Sequence, residues 1–163
     1  MMASTVLADL DHEMASTRTM LQRIPAAHLD FTPHEKSWTL RKLATHLTDF
    51  PRWGQVTVQT TTLDFAAPQP PKPTLDTAEA FVALWDERLA GFKAALAAAS
   101  DADLQVTWTA TVGEQVVMSM PRIAVLRGMV LNHMIHHRAQ LSIYYRLLDV
   151  PLPGLYGPSA DES

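Results

Sequence analysis

The sequence predicts an all-α fold, a four-helix bundle with a short irregular or hairpin excursion before its last helix. Three observations carry that expectation. Apolar residues recur at helical spacing in four long segments, proline and glycine divide those segments from one another, and a single proline-rich crossover joins the second to the third. With 163 residues, 47% of them hydrophobic, the chain can bury a core of its own as one domain spanning residues 1–163.

The first helix is expected from Ser4 to Ile24, with Val6, Leu7, Leu10, Met14, Met20 and Leu21 near helical spacing and Pro25 closing it. After a polar stretch around Phe31, Pro33 and His34, a second helix opens near Ser37, a plausible N-cap, and continues through Leu40, Leu43, Leu47 and Phe50. Pro51 kinks or interrupts it. Helical character then resumes through Trp53 and Val56, although Thr57, Thr60, Thr61 and Thr62 form a poor helix.

Ala66 to Thr74, holding Pro68, Pro70, Pro71 and Pro73, reads as an extended connector. The third helix, capped by Asp76 or Thr77, buries Ala80, Phe81, Leu84, Trp85, Leu89, Phe92 and Leu96 and fades near Ser100. Between Leu104 and Met118 the period changes to two. Val106, Trp108 and Ala110 alternate with Thr107, Thr109 and Thr111, and Gly113 supplies a turn. The last helix is expected from near Ser119, with Pro121 in its first turn, to about Leu148, where Pro151, Pro153 and Gly154 stop it.

Composition excludes several function classes. The net charge of −4 argues against a sequence-independent grip on nucleic-acid phosphate. The absence of cysteine removes disulfides, thiolate ligands and cysteine nucleophiles. No apolar run approaches the roughly 20 residues of a membrane span, and the first residues lack the basic start and apolar stretch of a secretory signal. The expected setting is cytoplasmic, with neither nucleic acid nor membrane as partner.

The chemistry concentrates in histidine. His133, His136 and His137 fall in the last helix, and His133 and His137, four apart, share one face on which two imidazoles can reach one ion at roughly 2.0–2.1 Å. His133 and His136 are a competing pair. The seam Leu126, Val130, His133, His137, Leu141, Tyr144, Leu148 decides between them, placing His137 on the core face and His136 at the rim. A third ligand should come from another helix, and His46, at helical spacing with Leu43, Phe50 and Trp53, points inward. Taken singly, each histidine reads as a hydrogen-bonded core residue. Taken together, three buried imidazoles without a shared partner would need three separate hydrogen-bond solutions. Three histidines leave coordination positions open, as in a catalytic site, and suit one divalent ion such as zinc, nickel or iron.

The segment Phe31 to Leu47 (Phe-Thr-Pro-His-Glu-Lys-Ser-Trp-Thr-Leu-Arg-Lys-Leu-Ala-Thr-His-Leu) and the run His133-Met-Ile-His-His137-Arg-Ala-Gln-Leu resemble the signature segments of the DinB-like family, also described as YfiT-like metal-dependent hydrolases. Ala139 stands where that family commonly has glycine, and the closing Pro-Leu-Pro-Gly-Leu-Tyr-Gly-Pro also matches its C-terminal pattern. The resemblance covers nearly the whole chain. It implies an up-down-down-up bundle, a homodimer, and one divalent ion on His46, His133 and His137. It further implies a metal-dependent enzyme acting on a small molecule, either a hydrolase or a transferase that borrows a low-molecular-weight thiol. The alternatives are a non-catalytic metal-binding stress-response dimer and a metal-free helical binding module.

Supporting residues are read as follows. Asp49, one turn after His46, is a candidate to orient a ligand or accept a proton. Arg138 and Gln140 are candidates to anchor an anionic substrate or to stabilise the fold, Arg138 through a surface or helix-end ion pair. Tyr144, Trp38 and Trp53 either line a pocket or simply pack.

Overall fold

A computed structural model describes the backbone of residues 2–162 and the side chains of residues 9–162. The expected stripe positions Val6 and Leu7 therefore lie outside the described side chains.

The first helix, α1 (Met2–Leu21), buries Leu10, Met14, Met20 and Leu21, and a short 3₁₀ turn (Ala26–His28) follows Pro25. Helix α2 (Leu40–Gln59) begins three residues later than Ser37 suggested. Its N-cap is Thr39, whose hydroxyl accepts from the Lys42 N–H at 3.2 Å. Pro51 lies inside α2 and the helix runs through it, because Leu40, Leu43, Leu47 and Phe50 are fully buried. Burying each such side chain contributes about 1.5–3 kcal/mol, which together outweighs the roughly 3 kcal/mol cost of an interior proline. Helix α3 (Ala78–Ala98) is capped by Thr77 and buries Phe81, Trp85, Phe92 and Leu96. A one-turn helix, α4 (Asp101–Gln105), follows behind a capping box in which Ser100 and Asp103 bond each other's backbone N–H.

The all-α expectation is overturned here. The described residues contain a three-stranded mixed sheet of β1 (Thr62–Asp64), β2 (Thr107–Val112) and β3 (Gln115–Pro121), in the order β1-β2-β3. The period-two segment forms the β2–β3 hairpin, turning at Gly113 with φ +59°, a conformation open to glycine. The third strand comes from the end of the threonine-rich run. Its β-branched residues favour a pleated surface, and Thr62, Leu63 and Asp64 pair in parallel with Thr109, Ala110 and Thr111. Three residues are too short for a period to be read from sequence.

The last helix also starts later than Ser119. Ser119 pairs with Thr109 in β3, and Pro121 is the final strand residue opposite Thr107. Helix α5 (Arg122–Val125) leads into a π-helical segment (Leu126–Asn132) and then α6 (His133–Leu147), whose junctions keep right-handed helical dihedrals. The buried Arg122 ties this start down, donating to the carbonyls of Thr60 and Asp103. Both α1 and α2 pack against α3 and α6, which places α1 across the bundle from α2. One apolar core fills that space, and a smaller cluster of Trp108, Ala110 and Val125 lies under the sheet. No helix of the described residues is long and apolar enough to cross a membrane.

Candidate metal centre

Helices α2 and α6 face one another, and their apolar stripes carry three histidines to one place. His46 comes from the middle of α2, while His133 and His137 occupy the first two turns of α6. One ring nitrogen from each lies within 4.8 Å of the others. The Nε2 atoms of His133 and His137 are 2.9 Å apart, and the His46 ring centroid is 4.6 Å from that of His137 and 5.5 Å from that of His133. The π turn immediately precedes His133, and such irregular turns recur at functional sites.

Aromatic side chains wall the cluster. The Phe50 ring lies 5.0 Å from both His46 and His133, and Trp53 meets His46 edge-on at 5.6 Å. Trp38 stacks on His137 at 5.6 Å with a 15° interplanar angle. Tyr144 holds Trp38 in place by donating its hydroxyl to the Trp38 carbonyl at 2.7 Å. An open groove beside His137, lined by Lys36, Trp38, Gln140 and Tyr144, gives a solute access.

This setting keeps the imidazoles neutral. Burial, reinforced by the other two histidines and by Lys72 and Lys42, lowers His46 from 6.5 to about 4. Burial, aided by His136, also lowers His133. Burial lowers His137 too, against an opposing hydrogen bond from Gln140. Neutral rings at pH 7 present lone pairs for which no proton competes.

The residues fit a metal ion. The Nε2 atom of His46 is buried without a hydrogen-bond partner, a condition that ordinarily costs about 1–3 kcal/mol. Tetrahedral coordination at 2.0–2.1 Å would set ligand nitrogens roughly 3.3 Å apart. The His133–His137 spacing of 2.9 Å is already close to that, and the His46 nitrogen lies within 4.8 Å of both.

Gln140 completes the arrangement. Its Oε1 accepts from His137 Nδ1 at 2.7 Å, which leaves Nε2 as the free lone pair, and its Nε2 donates to His136 Nε2 at 3.1 Å. This orienting role is missing from the sequence-based reading of Gln140, though its position three residues after His137 is the helical spacing such a contact needs. His136 is exposed at the rim, where its ring meets that of His137 edge-on at 5.1 Å and its Nε2 accepts from Gln140.

Two other candidates are engaged elsewhere. Asp49 accepts from Arg88 Nη1 at 2.7 Å and lies 3.8 Å from Lys72 Nζ. Arg138 corrects an expectation. Far from making a surface pair, it is 1% exposed and bonds Glu13, Thr17 and Tyr156 on the α1 side of α6.

The model of the DinB family matches residues 1–163. Two solved structures share the fold. A DinB-like protein from Bacillus cereus superposes with a TM-score of 0.70 at 23% identity, covering 93% of this chain and 95% of that chain. A DinB-like protein from Bacillus subtilis does so with a TM-score of 0.72 at 20% identity, covering 95% of this chain and 99% of that chain. No match was found among curated proteins.

Proposed function

The chain belongs to the DinB family, and from that premise we propose that it is a metal-dependent enzyme whose single divalent ion, zinc, nickel or iron, is held by His46, His133 and His137. The observation that carries this reading is the orphaned His46 Nε2 beside two imidazole nitrogens 2.9 Å apart. When bound, a divalent ion supplies Lewis acidity that lowers the pKa of a water or thiol brought to it.

The chain's own residues do the rest. Gln140 fixes the His137 tautomer, so its lone pair points into the cluster. Phe50 and Trp53 exclude water from the His46 side, which strengthens every charge interaction inside. The groove beside Trp38 and Tyr144 admits a small-molecule substrate, and in a chain without cysteine any sulfur nucleophile would be a borrowed low-molecular-weight thiol, the alternative being water. The same family premise supports a homodimer acting in the cytoplasm.

Metal analysis by mass spectrometry on protein purified without a histidine tag tests the centre. One ion per chain is expected in the wild type and none in H46A/H133A/H137A. An ion retained by the triple variant overturns the reading. Turnover assays with and without added small thiols then separate a transferase from a hydrolase, and metal-dependent stabilisation with no turnover under either condition would make the protein a non-catalytic metal binder.

A further inference from the structure

Trp53 walls two spaces. Besides meeting His46, its side chain lines a separate cavity of about 240 Å³ enclosed by α2, α3 and the proline-rich connector. Cations enter this cavity from all three sides: Arg52 from α2, Arg88 from α3 and Lys72 from the connector. Asp49 is its sole acidic lining residue, so three positive charges face one negative in a chain whose net charge is −4.

The cations are not used up by the fold. Among the described residues, the hydrogen bonds of Arg88, to the Thr48 carbonyl, the Thr48 hydroxyl and Asp49, all use Nη1, which leaves its Nε and Nη2 donors for another acceptor. Lys72 is 3.8 Å from Asp49, too long for a hydrogen bond, and its side chain is 69% exposed. Arg52 has no ion pair among the described residues. The cavity also has an apolar wall, formed by Trp53, Val56 and Phe65. Uncompensated like charges in a partly desolvated space repel one another, and an anion relieves that repulsion.

We propose that this cavity is a binding subsite for a small organic oxyanion, a carboxylate or phosphate monoester with an apolar body. Arg52, Arg88 and Lys72 grip the oxyanion, and the body lies along Trp53. Arginine suits the role because its planar fork meets two oxygens at once. Trp53 lines this cavity and meets the His46 ring at 5.6 Å, so the anion site and the histidine cluster are neighbours. A ligand anchored there would present its far end to the histidines, a consequence that rests on the metal-centre reading, whereas the grip on the anion does not.

Calorimetric titration of phenyl phosphate and inorganic phosphate at low ionic strength tests this in wild type, R52Q/K72Q and H46A/H133A/H137A. The expected result is tighter binding of phenyl phosphate than of inorganic phosphate. R52Q/K72Q should weaken phenyl phosphate roughly tenfold or more, since charge-assisted bonds are lost, and the histidine variant should retain it. Equal affinity in wild type and R52Q/K72Q, or binding lost only with the histidines, overturns the proposal. K72Q alone, on the exposed connector, keeps the test decisive if the double variant folds poorly. Arg52-dependent binding in a wild type that holds no metal would leave this subsite standing and the metal centre refuted.

Discussion

The side-chain oxygen of Gln140 lies 2.7 Å from Nδ1 of His137, one helical turn along the same face of α6. A donated Nδ1–H fixes the ring's tautomer and rotation and raises the basicity of the opposite nitrogen. Gln140→Leu should therefore weaken metal affinity about 10–100-fold with little loss of fold. Gln140→Glu, which preserves an acceptor at the same place, should retain affinity. His136→Ala should change it far less, because His136 is exposed and meets the cluster only at its edge, through Gln140 and a ring contact with His137 at 5.1 Å. Competition with a chromophoric chelator measures all three, and an unchanged affinity in Gln140→Leu would remove the orienting role.

Acid should destabilise the metal-free protein in a defined window. His46 is lowered from 6.5 to about 4 chiefly by burial, so between those values the unfolded chain binds a proton that the folded chain refuses. Its contribution to stability is complete above pH 6.5 and is lost as the pH falls towards 4. The downward shifts of His133 and His137 act with the same sign. Urea midpoints measured from pH 7 to pH 4 should fall in wild type and fall less steeply in His46→Gln. Parallel curves for the two would show that His46 does not titrate this way.

The contact between α2 and α3 should be intolerant of a single methyl group. A Cβ placed on Gly54 would meet the Phe92 ring at 2.5 Å, and that ring is itself fully buried. Gly54→Ala gains up to about 1 kcal/mol of helix propensity but forces a packed core to shift, at about 1–3 kcal/mol. The net expectation is destabilisation, read as a lower urea midpoint. Phe92→Leu in the same background should recover part of it by making room.

Periodicity made the four long helices legible, because each has an apolar stripe wide enough to register against polar neighbours. It also carried His133 and His137 to one face. What escaped were features decided by contacts distant in sequence. Strand β1 is three residues long and exists because β2 lies beside it, so no local pattern announces it. Ser119 and Pro121 suit a helix start, yet pairing across the hairpin draws both into β3. Gln140 reads as a substrate anchor or a fold stabiliser, and its orienting contact with His137 depends on side-chain rotamers that spacing does not specify. Arg138 misled most. Next to His137 it reads as solvent-facing, but α1 supplies Glu13 125 positions away and closes over it.

That burial turns Arg138 from a candidate for chemistry into a predicted determinant of stability. Its Nη2 lies 2.6 Å from Glu13 Oε2 and 2.7 Å from the Tyr156 hydroxyl, which also bonds both Glu13 oxygens. The triad thus joins α1, α6 and the C-terminal tail. Arg138→Leu would leave the Glu13 carboxylate desolvated without its cation, at a cost of about 3–5 kcal/mol. For a chain of this size that corresponds to a fall in Tm on the order of 10 °C. Tyr156→Phe removes only the tail's share and should cost about 1–2 kcal/mol while making the segment after Val150 easier to cleave by protease. Because the penalty comes from the stranded charge and not from the lost pair, Glu13→Gln combined with Arg138→Met should be milder than Arg138→Leu alone. Thermal denaturation of the three variants checks the ordering, and an Arg138→Leu protein with wild-type Tm would return Arg138 to consideration as a residue of the site.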